Sequence, residues 1–459
     1  MSDAATRRAD LAFAAAWALI LVGGVALRVD ALTHGVTTDE IGNVLVRQWG
    51  AAFFDPESGV NPPLWRWLGV PWSSDRTAID VGRGVAFVAG ALGMVAVGDA
   101  ARRLGGRLSA LAATLLVALG PTCIRDSALD RAYAAGALTL AVVLWLSAQP
   151  TLRPRLTLAA ILLLPWWHYL LFPVAAVWLL TGEGTRLRTR LIAGALAWAP
   201  LVVPLFLGRG RREPQTDGWI RPTLDVLSGG LHPEPHAGSL VAAWGVDSPS
   251  VIEGCLLLGV CLACGLTWPW LSATGRRAWW GALAVAAAVA LGEQVHFVRS
   301  DAATLWWVPL AIVLSTASSR LPALAHAITL SLLGFGLFAQ LPAEVGVMRE
   351  QGVRQDGLRE LNAWWPGDTA LVVHPAFVAG ALWFERTGTS QTLARDVGPC
   401  VVATGCYSDG DATWRGLDTL GPTRAADVVT LTPWVDDAAM AGCARVVDRP
   451  GWRAWRCGP

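Results

Sequence analysis

Several short constellations in this chain combine residue types that could handle protons or phosphate. Thr37-Thr38-Asp39-Glu40 sets two adjacent carboxylates behind two N-cap residues and ahead of Ile41–Trp49, a candidate amphipathic helix. On its own this is a helix start with acids at the positive end of the macrodipole. It is also a place where a carboxylate could take a proton from an incoming hydroxyl or ligate a divalent cation. Adjacent carboxylates on one helical turn diverge, so one of Asp39 and Glu40 would act and the other support it.

Further on, Asn61-Pro62-Pro63-Leu64 leads into Trp65-Arg66-Trp67. Its two prolines fix φ and remove two donors, giving a rigid extended turn. Tryptophans there could equally anchor a loop at a membrane interface. Arg125, Asp126, Asp130, Arg131 and Tyr133 follow. If exposed, Arg–Asp pairs of this kind contribute about 0–1 kcal/mol, whereas the planar fork of Arg131 could hold a phosphate. Trp166-Trp167-His168-Tyr169 places a histidine in an aromatic belt, as an interfacial anchor or as a donor to phosphate or sugar. Glu293, His296, Arg299 and Asp301 form a last set, with Arg299 at the border of an apolar run. His232 and His236 are separated by Pro233 and Pro235, which exclude a regular helix and leave a zinc pair weakly supported.

The elements that must position these residues are membrane helices. The chain has 459 residues, is 54% hydrophobic and only 15% charged, with a mean hydropathy of +0.45; a soluble chain carries about 25% charge. Apolar runs long enough for spans occur at roughly Leu11–Leu27, Ile79–Val97, Leu108–Pro121, Ala132–Ala148, Leu156–Trp166, Leu170–Thr181, Leu191–Leu207, Val251–Leu271, Trp279–Leu291, Ala302–Thr316 and Leu321–Leu341, about eleven in all. The first is read as an uncleaved helix rather than a signal peptide, because so many spans follow it.

Alternation from a cytoplasmic N-terminus puts Arg7, Arg8, Arg102, Arg103, Arg107, Arg153, Arg155, Arg186, Arg188, Arg190, Arg276, Arg277 and Arg320 inside, as the positive-inside rule requires. Arg209, Arg211 and Arg212 run against the scheme. The acid-bearing loops and the C-terminal segment then lie outside. The expected protein is a multi-pass α-helical protein of the plasma (inner) membrane. It comprises a domain at 1–341 with outer loops 32–77 and 208–250, and a small extracytoplasmic α/β domain at 342–459. In that domain strands are expected at Thr369–Val373, Val401–Thr404 and Asp427–Leu431, a helix at Asp436–Cys443, and a terminal hairpin at Arg445–Val447 and Arg453–Arg456.

Of the eight cysteines, Cys261 and Cys264 sit inside an apolar run and are packing residues. Cys400, Cys406, Cys443 and Cys457 form an even set in an oxidising location; the near pairs Cys400–Cys406 and Cys443–Cys457 are the expected disulfides, among three possible arrangements. All 36 basic residues are arginine, so lysine chemistry is excluded. No Walker A, dinucleotide-binding or nucleophile-elbow motif occurs, and a net charge of +1 gives no sign of nucleic acid.

Taken in order, Asp39-Glu40, Asn61-Pro62-Pro63-Leu64, Arg131-Ala132-Tyr133, His168-Tyr169 and Arg299 ahead of Trp306-Trp307-Val308-Pro309 resemble the motifs of the membrane-embedded GT-C glycosyltransferases, in particular the protein mannosyltransferases and the aminoarabinose transferases of lipid A. The resemblance spans about residues 10–340. Asn61 stands where that family usually has histidine, a departure that bears on any role of this side chain as a base or metal ligand. The resemblance implies a sugar donor on a polyprenyl phosphate and an acceptor hydroxyl on a lipid, glycan or protein. Arg131, Arg299, Tyr133 and His168 would bind the donor phosphate. Asp39 or Glu40 would be the base, with inversion at the anomeric carbon, and Asn61, Pro62 and Pro63 would position substrate. A divalent cation, magnesium or manganese, could sit at Asp39 and Glu40. Two other functions remain open. A transporter or lipid flippase would need ionisable groups at mid-bilayer, which the spans carry only at their ends. A non-catalytic scaffold of the cell envelope would be consistent with Asn61.

Overall fold

The computed structural model describes residues 3–33, 40, 64–65, 74–149, 153–182, 184–207, 271–281, 303–318, 360, 363–364, 371–374, 401–403, 426–431, 443–449 and 452–457. The chain divides into two compact units. One comprises Met1–Asp30, Ala51–Leu68 and Gly82–Val345; the other comprises Ala31–Gly50, Gly69–Val81 and Gly346–Pro459.

The first unit is helical among its described residues. Helix α1 (Asp3–Ala31) has 29 residues and α2 (Asp75–Gly105), whose first residues belong to the second unit, has 31. At 1.5 Å per residue these are about 43 and 46 Å long, more than the ~30 Å of a bilayer core. Both are apolar enough to cross a membrane. Leu11, Leu19 and Val22 of α1 are 71%, 74% and 67% exposed. Large aliphatic side chains displayed this way call for an apolar surrounding.

Left-handed Gly106 (φ 90°) turns the chain from α2 into α3 (Arg107–Leu119). Gly120 then ends α3, and Pro121 opens the short helix α4 (Pro121–Asp126), where its missing N–H costs nothing. The expected span Leu108–Pro121 thus corresponds to α3, with Pro121 already opening the next helix. A turn at 127–132 precedes α5 (Tyr133–Ser147). Helix α6 (Pro154–Trp167) breaks at extended His168 into a 3₁₀ turn (Tyr169–Leu171) and α7 (Phe172–Thr181). Helices α8 (Leu187–Leu207) and α9 (Ala303–Ser318) follow, with a further helical stretch at 273–281 between them. The apolar runs proposed at Val251–Leu271 and Leu321–Leu341 fall almost wholly outside the described residues.

Helix α9 packs on α3 and α5, α5 on α6, and α6 on α7 and α8. Leu140, Leu144, Leu164, Val174, Ile312 and Val313 are fully buried in their shared core. Charges are buried in this unit too, among them Arg28 near the end of α1, which is 0% exposed. Its guanidinium donates to the carbonyls of Gly24 (2.9 Å), Ala118 (3.3 Å) and Val117 (3.0 Å) and to Ser127 Oγ (3.2 Å). The last carbonyls of α3 lack helical partners, and a cation at a helix C-terminus is favoured by the dipole. Arg28 thus fastens α1 to the end of α3 and to the turn that carries the candidate site.

In the second unit, β1 (Leu371–His374), β2 (Val401–Ala403), β3 (Ala426–Leu431), β4 (Cys443–Arg449) and β5 (Trp452–Cys457) form a sheet of order β2-β1-β3-β5-β4. β1 runs parallel to β2 and β3, and β5 runs antiparallel to β3 and β4. The expected strands and terminal hairpin occur within a few residues of their predicted positions. Cys443, placed in a helix by its sequence, opens β4 instead; its cross-strand pairing with β5 supplies hydrogen bonds that a local helix signal does not weigh. The register sets Cys443 opposite Cys457, but no disulfide is found among the described residues, so that expectation is unsupported. Cys400 and Cys406 lie outside the described residues.

Candidate functional site

The turn at 127–132 is shaped from within. Ser127 Oγ donates to the Cys123 carbonyl at 2.5 Å and accepts from Arg28. The Ala128 N–H returns to Arg125, and the Arg131 N–H to Leu129. This winds the backbone so that Arg131 and Tyr133 stand at the N-terminal end of α5, where the helix dipole adds partial positive charge. Asp126 accepts from Arg125 Nε at 3.2 Å. That carboxylate is 1% exposed rather than the solvated partner of a surface pair.

Arg131 Cζ lies 5.8 Å from the centre of the Tyr133 ring, a cation–π contact. Tyr133, 7% exposed, packs in turn on His168, with ring centres 4.9 Å apart and planes inclined by 34°. His168 sits in the break between α6 and the 3₁₀ turn, where its Nδ1 accepts from the Leu170 N–H at 3.2 Å. An imidazole that accepts at Nδ1 carries its proton at Nε2 and is a donor there. Desolvation, first, and the charge of Arg131, second, push the His168 pKa down to about 3. The ring is neutral near pH 7. A cation, a phenol and a neutral N–H donor are thus stacked side by side, a combination suited to the oxygens of a phosphate.

Arg131, Tyr133 and His168 are three of the four side chains expected to bind a phosphate, and the fold brings them together. Arg299, the fourth, lies outside the described residues, as do Asp39, Asn61, Pro62 and Pro63. Glu40 is helical, fully buried and part of the second unit. Among the described residues no three potential ligands from His, Cys, Asp and Glu gather. Asp39, half of the expected cation site, lies outside those residues.

The sequence does not disclose the importance of Trp65, Asp130 and Arg28. Trp65 passes for an interfacial anchor and Asp130 for half of a surface pair. Yet Trp65 Nε1 donates to Asp130 Oδ1 at 2.8 Å, with both residues buried. The available signal was a lone arginine at the edge of an apolar run and an acid next to Arg131, both costly inside a membrane protein without partners.

Comparison with known structures returns two crystal structures of ArnT from Cupriavidus metallidurans. The apo form is 15% identical with a TM-score of 0.49, covering 100% of both chains. The form bound to undecaprenyl phosphate is 14% identical with a TM-score of 0.47, covering 98% of this chain and 99% of that one. The Archaeoglobus fulgidus oligosaccharyltransferase complex with zinc and sulfate is 12% identical with a TM-score of 0.36, covering 81% of this chain and 61% of that one. At these scores the likeness carries no functional argument. No protein-family model and no curated protein matches the sequence.

Proposed function

We propose that this chain is a multi-pass membrane glycosyltransferase that moves a sugar from a polyprenyl-phosphate donor to an acceptor hydroxyl at the outer face of the inner membrane. The stack of Arg131, Tyr133 and neutral His168 at the start of α5 carries the proposal. In this mechanism Arg131, the Tyr133 hydroxyl and His168 Nε2–H hold the donor phosphate, with Arg299 as a further cation. Asp39, supported by Glu40, takes the proton from the acceptor hydroxyl. The acceptor oxygen bonds to the anomeric carbon as the bond from that carbon to the phosphate oxygen breaks, and configuration inverts. The electron pair leaves with the phosphate, whose added charge is stabilised by donors already in place. The segment Asn61-Pro62-Pro63 positions the substrates, and residues 342–459 form an outer domain.

Undecaprenyl phosphate, the ligand named for one of the similar structures, is the probe. Wild-type protein in lipid nanodiscs should bind it, and Arg131→Gln should weaken binding by about a hundredfold, in the range seen for loss of a strong electrostatic donor. Equal affinity of the two proteins would refute the phosphate role of the stack. Sugar transfer by Asp39→Asn at the wild-type rate would refute the assignment of the base.

A further inference from the structure

We infer that Trp65 is a positioning residue for the phosphate-binding stack and that Asp130 holds it there. The inference rests on the function proposed above. Trp65 follows directly on Asn61-Pro62-Pro63-Leu64 and is 3% exposed. Its indole lies in a cluster with Ala86 and Ala89 of α2 and with Ala132, Ala134 and Ala135 at the start of α5. Five alanines leave room for one large ring between the two helices.

The indole nitrogen donates to Asp130 Oδ1 at 2.8 Å, across 65 residues of sequence. Asp130 is 0% exposed and immediately precedes Arg131. Residue 82 on α2 lies against this same oxygen. A Cβ added to Gly82 would stand 1.9 Å from Asp130 Oδ1 and 2.4 Å from Cγ, so the carboxylate fits because this residue is glycine. On its other side the Trp65 ring meets Trp167 edge to face, with centres 6.4 Å apart and planes inclined by 63°. Trp167 is the residue before His168.

A single indole therefore touches the neighbours of three motifs: the Pro-Pro turn through its own backbone, Arg131 through Asp130, and His168 through Trp167. A phosphate clamp needs its donors within a fraction of an ångström of their working positions. Arg131 and His168 come from separate turns, and Trp65 joins the residue that precedes each of them, Asp130 and Trp167.

The test uses full-length protein in nanodiscs, with undecaprenyl phosphate titrated and both the midpoint and the amplitude of binding recorded. Trp65→Phe keeps an aromatic ring and removes the N–H; its midpoint should rise about tenfold. Asp130→Asn still presents an oxygen to the indole and should stay within about threefold of wild type, while Asp130→Leu should match Trp65→Phe. The double variant Trp65→Phe, Asp130→Leu should be no weaker than the weaker single variant, because both remove one bond. A purely structural role would lower the amplitude, through loss of folded protein, and leave the midpoint unchanged; that result overturns the inference. So does Asp130→Asn falling as far as Asp130→Leu, which would mean that the charge of Asp130 matters rather than its bond to Trp65. Should Trp65→Phe fail to assemble in membranes, the contrast between Asp130→Asn and Asp130→Leu decides by the same criterion. If wild-type protein itself does not bind undecaprenyl phosphate, the function proposed above fails rather than this inference alone.

Discussion

Helix α5 carries an arginine–aromatic contact near each end, and the two differ in what surrounds them. Near its C-terminal end Arg103 of α2 stands 5.7 Å from the centre of the Trp145 ring. There Asp99 gathers three donors: Arg102 Nε and Arg103 Nε at 2.8 Å each, and Trp145 Nε1 at 2.7 Å. The cations are neighbours on the same helix turn, half-exposed, and share a carboxylate from that helix. Such i,i+3 and i,i+4 pairs contribute a few tenths of a kcal/mol each. At the N-terminal end, Arg131 faces a buried tyrosine and a histidine kept neutral, all at the positive end of the helix dipole. Similar contacts thus serve cohesion where a carboxylate sits among them. At the N-terminal end the arginine instead meets a tyrosine that packs on a neutral imidazole, the arrangement proposed above to hold a phosphate.

The contrast can be broken by substitution. The largest difference is expected between Arg131→Gln and Arg103→Gln. The first should lose about a hundredfold in affinity for undecaprenyl phosphate, and the second should stay within about threefold of wild type, measured on the same nanodisc preparation. Comparable losses would show that the two ends are functionally alike.

Next in size is Gly82→Ala, which forces a methyl group into the Asp130 carboxylate. It should destabilise the folded protein by about 1–3 kcal/mol, seen as a lower midpoint in denaturant. Gly84→Ala, whose added Cβ meets nothing within 4 Å, is the control and should be neutral or slightly stabilising.

His168 gives a pH signature. Unfolded imidazole takes a proton near pH 6.5, whereas the folded ring takes one only near pH 3. Between these values the unfolded state binds more protons, so stability rises with pH across the window and falls as the solution is acidified. His168→Gln should flatten that part of the profile in denaturation curves at about pH 4.5, 5.5 and 7. An unchanged slope would mean the ring is not desolvated.

The smallest effect belongs to Asp99→Asn. It removes the shared charge of the partly exposed cluster and should cost no more than about 1 kcal/mol, with affinity for undecaprenyl phosphate unchanged.

What was legible in the sequence was local. Apolar runs marked α3 and α5 to within two residues and the middles of α1 and α2, whose polar ends run up to eight residues further, because helix formation in an apolar medium follows from composition and length. The β-branched runs Val428-Val429-Thr430 and Val446-Val447 marked β3 and β4, since such residues favour strands. The order of Arg131, Tyr133 and His168 was visible too, with their residue types pointing to phosphate.

Proximity was not legible, because nothing in a linear pattern states which turns face each other. Arg28 reaches Ser127 across 99 residues and Trp65 reaches Asp130 across 65. Each pairing depends on small residues elsewhere: Gly90, whose Cβ would stand 2.0 Å from Ser127 Oγ, and Gly82 against Asp130. In the sequence those glycines are unremarkable members of an apolar helix. The tertiary structure alone made them the spaces into which buried polar groups fit, since a buried charge must find its hydrogen-bond partners wherever packing brings them. By itself the sequence determined the types and order of Arg131, Tyr133 and His168, and the packing of α5 against α6 determined that they stand together.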